Sequence, residues 1–183
     1  MAKFNFGDLR EKALPRVVID WETGDALFDA DSPGYVQGTI ALDDGWTVAG
    51  IEDTAANDSS KQWEVPAGQI WQILGIGVQY ASTAAAGDRQ LEVRVQRAGA
   101  GFTPIMTWAR AGVTQAASLT YEYFFAPGVP DLTSARDTTF VSTPLPVTSL
   151  LKAGDVLRVW DNAEIAPAAD DMSCYIQYAR KAV

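Results

Sequence analysis

Residues 65–80, VPAGQIWQILGIGVQY, constrain the fold of this chain more than any other stretch. After the Pro66-Ala67-Gly68 turn, a dozen residues pass without a charge, and Ile70, Trp71, Ile73, Leu74, Ile76, Val78 and Tyr80 carry the segment. Two glycines, Gly75 and Gly77, stand inside it. Each would weaken a helix by about 1 kcal/mol, whereas in a strand a glycine marks a bend or the close approach of another backbone. The Ile/Val/Trp/Tyr content and the length therefore predict a central strand of an all-β domain. From Gly75 onward the period is two, with Ile76, Val78 and Tyr80 on one face and Gly77, Gln79 and Ala81 on the other.

The flanking sequence repeats this pattern in shorter pieces. Strands are predicted over residues 35–42, 45–51, 89–97, 102–109, 119–125, 138–143, 156–160 and 172–179. Between them lie turns such as Asp44-Gly45 and Pro127-Gly128, and a polar loop over residues 52–62. In RQLEVRVQR, Leu91, Val93 and Val95 point one way, while Glu92, Arg94 and Gln96 point the other, towards solvent or a neighbouring subunit. Pro104 demotes the 102–109 strand to a sheet edge. The LKAG corner at residues 151–154 echoes VPAG at 65–68, and each opens a strand bearing a tryptophan, Trp160 or Trp71. Eight or nine such strands make a β-sandwich over residues 34–183, of the jelly-roll type. Residues 1–33 read differently. They combine short helical or extended pieces with four acids between Glu22 and Pro33. Phe4, Phe6, Leu9, Leu14, Val17, Ile19 and Trp21 need somewhere to pack, so this segment is expected to be an arm lying on its own domain or on a neighbour.

Composition removes most chemistry. The chain has no histidine, which takes away the commonest general base, the Ser/Cys–His–acid triads and most zinc or iron sites. The single cysteine, Cys174, alternates with Met172, Ile176 and Tyr178 as a buried strand residue should. Fourteen basic against twenty-three acidic residues give a formal charge of -9, which speaks against a nucleic-acid or anionic-membrane surface. No apolar run is long enough to span a bilayer, and no secretory leader is legible at the N-terminus, so a cytoplasm-like compartment or a larger particle is expected. Phosphate-cradling glycine motifs are missing too. Carboxylates remain. The pairs Asp43/Asp44, Glu52/Asp53, Asp161/Glu164 and Asp170/Asp171 are the candidates for glycoside hydrolysis. If the 161–171 loop closes on itself, its four acids would suit calcium, and Asp25 to Asp31 form a second acidic loop with the same option. The other reading of these acids is a solvated loop. Trp46, Trp63, Trp71, Trp108 and Trp160, with Tyr121 and Tyr123, fill a core or line a sugar groove. In LTYEYFF only Phe124 falls on the face opposite Tyr121, Tyr123 and Phe125 without an evident packing role.

Taken together, the polar-ended N-terminal arm, the VPAGQIW strand start, the later LKAGDVLRV strand and the histidine-free acidic composition resemble the small accessory proteins of tailed-phage heads. Decoration (cement) proteins are the nearest in style, followed by minor head or neck proteins. The resemblance spans residue 65 to the C-terminus. It implies a non-enzymatic virion structural protein without a cofactor, met in the host cytoplasm during assembly and afterwards on the particle. It further implies a homotrimer on the major coat protein, with no nucleic-acid or membrane partner. Phe4, Phe6, Leu9, Leu14, Val17, Ile19 and Trp21 become the capsid-contacting arm, and Glu92, Arg94 and Gln96 a subunit contact. The alternative is a carbohydrate- or receptor-binding module of a phage tail or fibre.

Overall fold

The computed structural model describes residues 41–42, 45–98, 103–133 and 137–183. The arm over residues 1–33, the acidic stretch from Asp25 to Asp31 and the pair Asp43/Asp44 lie outside the described residues. Twelve strands are present among those described, in chain order β1 (Ala41–Leu42), β2 (Trp46–Asp53), β3 (Ser60–Glu64), β4 (Gln69–Ala81), β5 (Leu91–Arg97), β6 (Thr103–Arg110), β7 (Thr120–Pro127), β8 (Leu132–Thr133), β9 (Phe140–Leu145), β10 (Leu150–Lys152), β11 (Asp155–Asp161) and β12 (Asp171–Ala182). A larger sheet runs β1-β2-β12-β4-β7-β9-β8, with β10 also paired to β4, and a smaller one runs β3-β11-β5-β6. All pairings are antiparallel except β7 with β9. Strands distant in sequence become neighbours: β12 lies between β2 and β4, and β11 between β3 and β5. Late strands inserted between early ones are Greek-key wrapping, and the two sheets form an all-β sandwich consistent with a jelly roll.

The predicted central strand is β4, paired with β12 along its whole length and with β10 and then β7 on its other edge. Trp71 and Ile73 point into the core, and so do Ile76, Val78 and Tyr80. These two sets differ in parity, and the register explains why. Tyr178 pairs with Ile73 and Gln177 with Gly75, so Leu74 is the extra residue of a bulge. A one-residue slip turns every later side chain to the opposite face, which is how one strand keeps both apolar sets inside. At Gly75 a Cβ would sit 3.4 Å from the Phe124 ring, so the bulge also seats an aromatic of β7. Past it the predicted period of two holds.

The bulge lies where β4 passes from β10 to β7, and Ser149 closes that seam. Ile73 N–H donates to the Ser149 carbonyl at 3.0 Å, and Ser149 Oγ donates to the Ile73 carbonyl at 2.7 Å, with Ser149 fully buried. Ser149→Ala leaves the Ile73 carbonyl short of a partner inside the sandwich. A loss of about 1–2 kcal/mol is expected in chemical denaturation, and an unchanged midpoint would remove Ser149 from this role.

Facing β4 and β12 across the interior are Leu91, Val93 and Val95 of β5 and Leu157 and Val159 of β11, all buried as the alternation predicted. Strand β6 is a sheet edge, as Pro104 required. The two echoing corners are also in contact. Gly68 and Gly154 adopt φ of 75° and 80°, a left-handed turn that favours glycine. Gly154 N–H donates to the Val65 carbonyl at 3.0 Å and Val65 N–H to that of Asp155 at 2.9 Å. The echo does not extend to the tryptophans, because Trp71 enters the core whereas Trp160 stays outside it. Two expectations needed correction. The strand count is twelve among the described residues, not eight or nine. The 52–62 loop is shorter than expected, since β2 runs on to Asp53 and β3 begins at Ser60.

Candidate functional site

The densest gathering of polar side chains is at the end of the sandwich where the loops 82–90, 111–119 and 161–170 meet. Arg89, Asp161, Asp170, Tyr80 and Gln115 are all fully buried there. Arg89 donates from Nε to Asp170 Oδ2 at 2.9 Å and from Nη2 to Asp170 Oδ1 at 3.3 Å. Its Nη1 reaches the carbonyls of Ala85 and Gly87 at 2.8 and 2.7 Å. Nη2 also approaches Thr83 Oγ1 at 3.3 Å and the Thr83 carbonyl at 3.5 Å, so the guanidinium fork is satisfied on all sides. The other acceptors are equally occupied. Asp170 Oδ1 takes the Thr83 N–H and hydroxyl, each at 2.7 Å, while Asp161 Oδ1 takes the N–H groups of Gln90 and Ala163. The Tyr80 phenol bridges the two acids, at 3.0 Å from Asp170 and 3.4 Å from Asp161. A second relay runs from the Tyr123 hydroxyl to Gln115 Oε1, while Gln115 Nε2 donates to the carbonyls of Tyr80 and Leu119.

Burial alone would raise the Asp170 carboxyl. The hydrogen bonds from Arg89, Thr83 and Tyr80 overcome that and hold it at about 2. Burial, reinforced by Asp161 and Asp170, pushes the Tyr80 phenol well above its ordinary value. With every member enclosed and every hydrogen bond internal, this cluster fastens three loops together and offers no face to a substrate. The predicted acidic loop over residues 161–171 does close on itself, and it brings Asp161 and Asp170 together as a calcium site would require. The cation that Asp170 meets, however, is Arg89, and Asp161 accepts from Gln90, Ala163 and Tyr80. Asp171 turns away to accept the Asn57 N–H, and Glu164 is exposed. Among the described residues no group of three or more His, Cys, Asp or Glu side chains is arranged to hold a metal.

A second buried charge, Lys61, links Asp53 and Asp58, both at 2.9 Å, and donates to the Ala55 carbonyl at 2.7 Å. Glu52 and Asp53 are successive strand residues on opposite faces of β2, so they do not converge as a catalytic pair. Cys174 is a buried free thiol whose pKa burial pushes far up, which leaves it protonated and unreactive.

Glu92, Arg94 and Gln96 lie on the outer face of the smaller sheet, the side the alternation gave them. Their exposure is not uniform. Glu92 is fully buried beneath Arg94 and Arg110, at 2.8 and 2.6 Å, and accepts from Thr107 at 3.0 Å. Burial would raise its carboxyl, and these donors outweigh that to lower it. Gln96 is buried with its Oε1 unpartnered. The guanidiniums of Arg94 and Arg158 lie over the Trp160 ring, 4.5 and 4.4 Å from its centroid.

The remaining aromatics divide cleanly. Trp71 and Tyr123 are core, and Trp63, Trp108 and Tyr121 pack against it. Phe124 is 38% exposed, as the sequence indicated, and Tyr175, which the sequence reading did not single out, is 49% exposed. Both flank Gly77 in one row across β12, β4 and β7. Alternation about Cys174 was the signal that could have identified Tyr175. A small cleft of about 190 Å³ lies between Thr54, Ala55, Ala56, Gln79, Ala81 and Ser173, below the usual range of ligand pockets, roughly 300–1,000 Å³. No helix of the described residues is long and apolar enough to cross a membrane.

No protein-family model matches the chain, and no curated protein does either. Among solved structures it is similar to a chain of the infectious bursal disease virus Gx strain structure, at 11% identity and a TM-score of 0.26. It is also similar to a chain of the T13 IBDV viral particle, at 15% identity and a TM-score of 0.25. Each match covers 81% of this chain and 42% of the other, so the chain spans less than half the length of either. Likeness at this level carries no argument about fold or function.

Proposed function

We propose that this chain is a non-enzymatic virion structural protein that binds the outside of a phage capsid and stabilises contacts between coat subunits. The observation that carries the reading is the enclosure of its chemistry. The ionisable cluster around Arg89 and Asp170 is sealed inside the fold, while the outer face of the larger sheet leaves Tyr175, Phe124, Leu132 and Leu150 substantially exposed. Work done through surfaces rather than a reactive cleft suits a particle component. The strand order supports a jelly roll, an architecture used by capsid domains and also by lectins.

On this reading residues 1–33 are the arm and residues 34–183 the sandwich. Phe4, Phe6, Leu9, Leu14, Val17, Ile19 and Trp21 contact the major coat protein. Arg94, Glu92 and Gln96 contribute to a contact within a homotrimer. Several modest contacts from one trimer then add through high effective concentration. Deleting residues 1–21 is expected to leave a folded protein that no longer sediments with particles assembled from the coat protein alone. Co-sedimentation equal to that of the intact chain would refute the arm.

One observation favours a second reading, a carbohydrate-binding module of a tail or fibre. Tyr175 and Phe124 flank the side-chain-free Gly77, with the Gln79 side chain exposed nearby, and flat aromatic faces beside amide groups suit sugar rings. Glycan-array binding that vanishes in Tyr175→Ala, together with failure to bind particles, would favour this reading over the first.

A further inference from the structure

The outer face of the larger sheet is apolar near the chain's point of entry and carries two lysines without carboxylates. One row across the sheet holds Trp46, Lys181, Ile70 and Lys152, through the pairings of Lys181 and Lys152 with Ile70 and the β2–β12 register. The next holds Val48, Ala179, Gln72 and Leu150. Leu150 is 52% exposed. Neither lysine lies within ion-pair distance of a carboxylate among the described residues, although the chain as a whole carries a charge of -9.

The described chain begins at this same place. Strand β1 pairs with β2 at the Trp46 end, Ala41 opposite Thr47 and Leu42 opposite Trp46. Everything before it therefore joins the fold at the edge of this face. Residues 22–36, ETGDALFDADSPGYV, contain four acids, no lysine or arginine, and the apolar side chains Leu27, Phe28, Tyr35 and Val36. Their chemistry complements the face, acids to Lys181 and Lys152 and apolar groups to Val48, Ile70 and Leu150. The reach is sufficient. From β1 to β10 is four strand spacings, about 19 Å, and the ten residues from Asp31 to Ala41 extend over roughly 33 Å.

We propose that residues 22–36 dock, within the same chain, on the outer face of the larger sheet around Val48, Ile70 and Leu150, with their carboxylates against Lys152 and Lys181. This leaves residues 1–21 free for the contacts proposed above and does not depend on them. The docked segment covers apolar surface that would otherwise be exposed, and its ion pairs are accessible to salt.

The test uses the full-length chain carrying Ser32→Cys and a nitroxide label, with Cys174, buried and protonated, left unlabelled. The amide signals of Val48, Gln72, Ala179 and Lys181 are expected to lose more than half their intensity, and those of Arg94 and Arg158 on the opposite sheet to keep theirs. The loss should largely disappear in Lys152→Glu/Lys181→Glu and weaken at high salt. Broadening at the smaller sheet instead, or at neither sheet, would overturn the proposal. So would broadening seen only in a mixture of isotope-labelled unmodified chains with spin-labelled unlabelled-isotope chains, since the occupant would then be a second copy. Unchanged broadening in the double lysine variant would overturn the charge pairing.

Discussion

Asp170→Asn should cost about 3–5 kcal/mol at neutral pH, because it leaves the fully buried Arg89 guanidinium without its counter-charge. For a chain of this size that corresponds to a fall in Tm of roughly 6–20 °C. Arg89→Met should cost a similar amount, by stranding Asp170 with only Thr83 and Tyr80 as donors. The double variant should cost clearly less than the sum, since the buried charge that makes each single change expensive is gone. Additive losses would mean that the two side chains act separately, and the fastening of the three loops would need another explanation.

The same pair predicts an acid dependence whose sign is fixed. The folded-state pKa of Asp170 is depressed to about 2, below an unfolded value near 3.9. Its contribution is therefore complete above about pH 5 and is lost as the pH falls through 2, a total of about 2–3 kcal/mol. Asp170→Asn removes the titrating group. The stability gap between the intact chain and the variant should then narrow steadily between pH 5 and pH 2, whatever the other carboxylates do to both. A gap that stays constant over that interval would show that Asp170 does not carry the shift.

This cluster was half legible in the sequence. The acids at 161, 164, 170 and 171 are close together along the chain, so a loop bringing carboxylates together could be read directly. Arg89 could not. It stands between a small-residue loop and an alternating strand, and its carboxylate partner is 81 residues away, so no local pattern separates it from an arginine in solvent. Glu92 has the same difficulty. Alternation placed it correctly on the outer face of β5, but its burial comes from Arg110 and Thr107 of the neighbouring strand. Strand β3 escaped because SKQWE reads as polar loop, and its one deeply buried residue is Lys61, whose three partners lie outside the strand. The sandwich itself was readable because hydrophobic periodicity is local. What remained hidden depends on charges meeting across long sequence separations.

The bulge in β4 gives a sharper test, since it makes two adjacent, chemically similar residues energetically unlike. Ile73 is fully buried in the core, whereas Leu74, the extra residue, is only partly buried. Ile73→Ala should therefore cost about 2–5 kcal/mol, through lost transfer energy and a cavity left in the core. Leu74→Ala should cost about 1 kcal/mol, because part of its surface already meets solvent and no closed cavity forms. An unbroken strand would give a different pattern beyond this point. With strict alternation from Trp71 and Ile73, Gly75, Gly77 and Gln79 would face the core, and truncating Ile76 or Val78 would be nearly neutral. Instead Ile76→Ala should match Ile73→Ala, and Val78→Ala should be only somewhat milder because valine is smaller. Equal losses at 73 and 74, or negligible ones at 76 and 78, would place the register shift elsewhere. Deleting Leu74 outright tests the same point more severely. It would force the apolar set at 76, 78 and 80 to the outer face or the set at 71 and 73 out of the core, and either outcome should abolish cooperative unfolding.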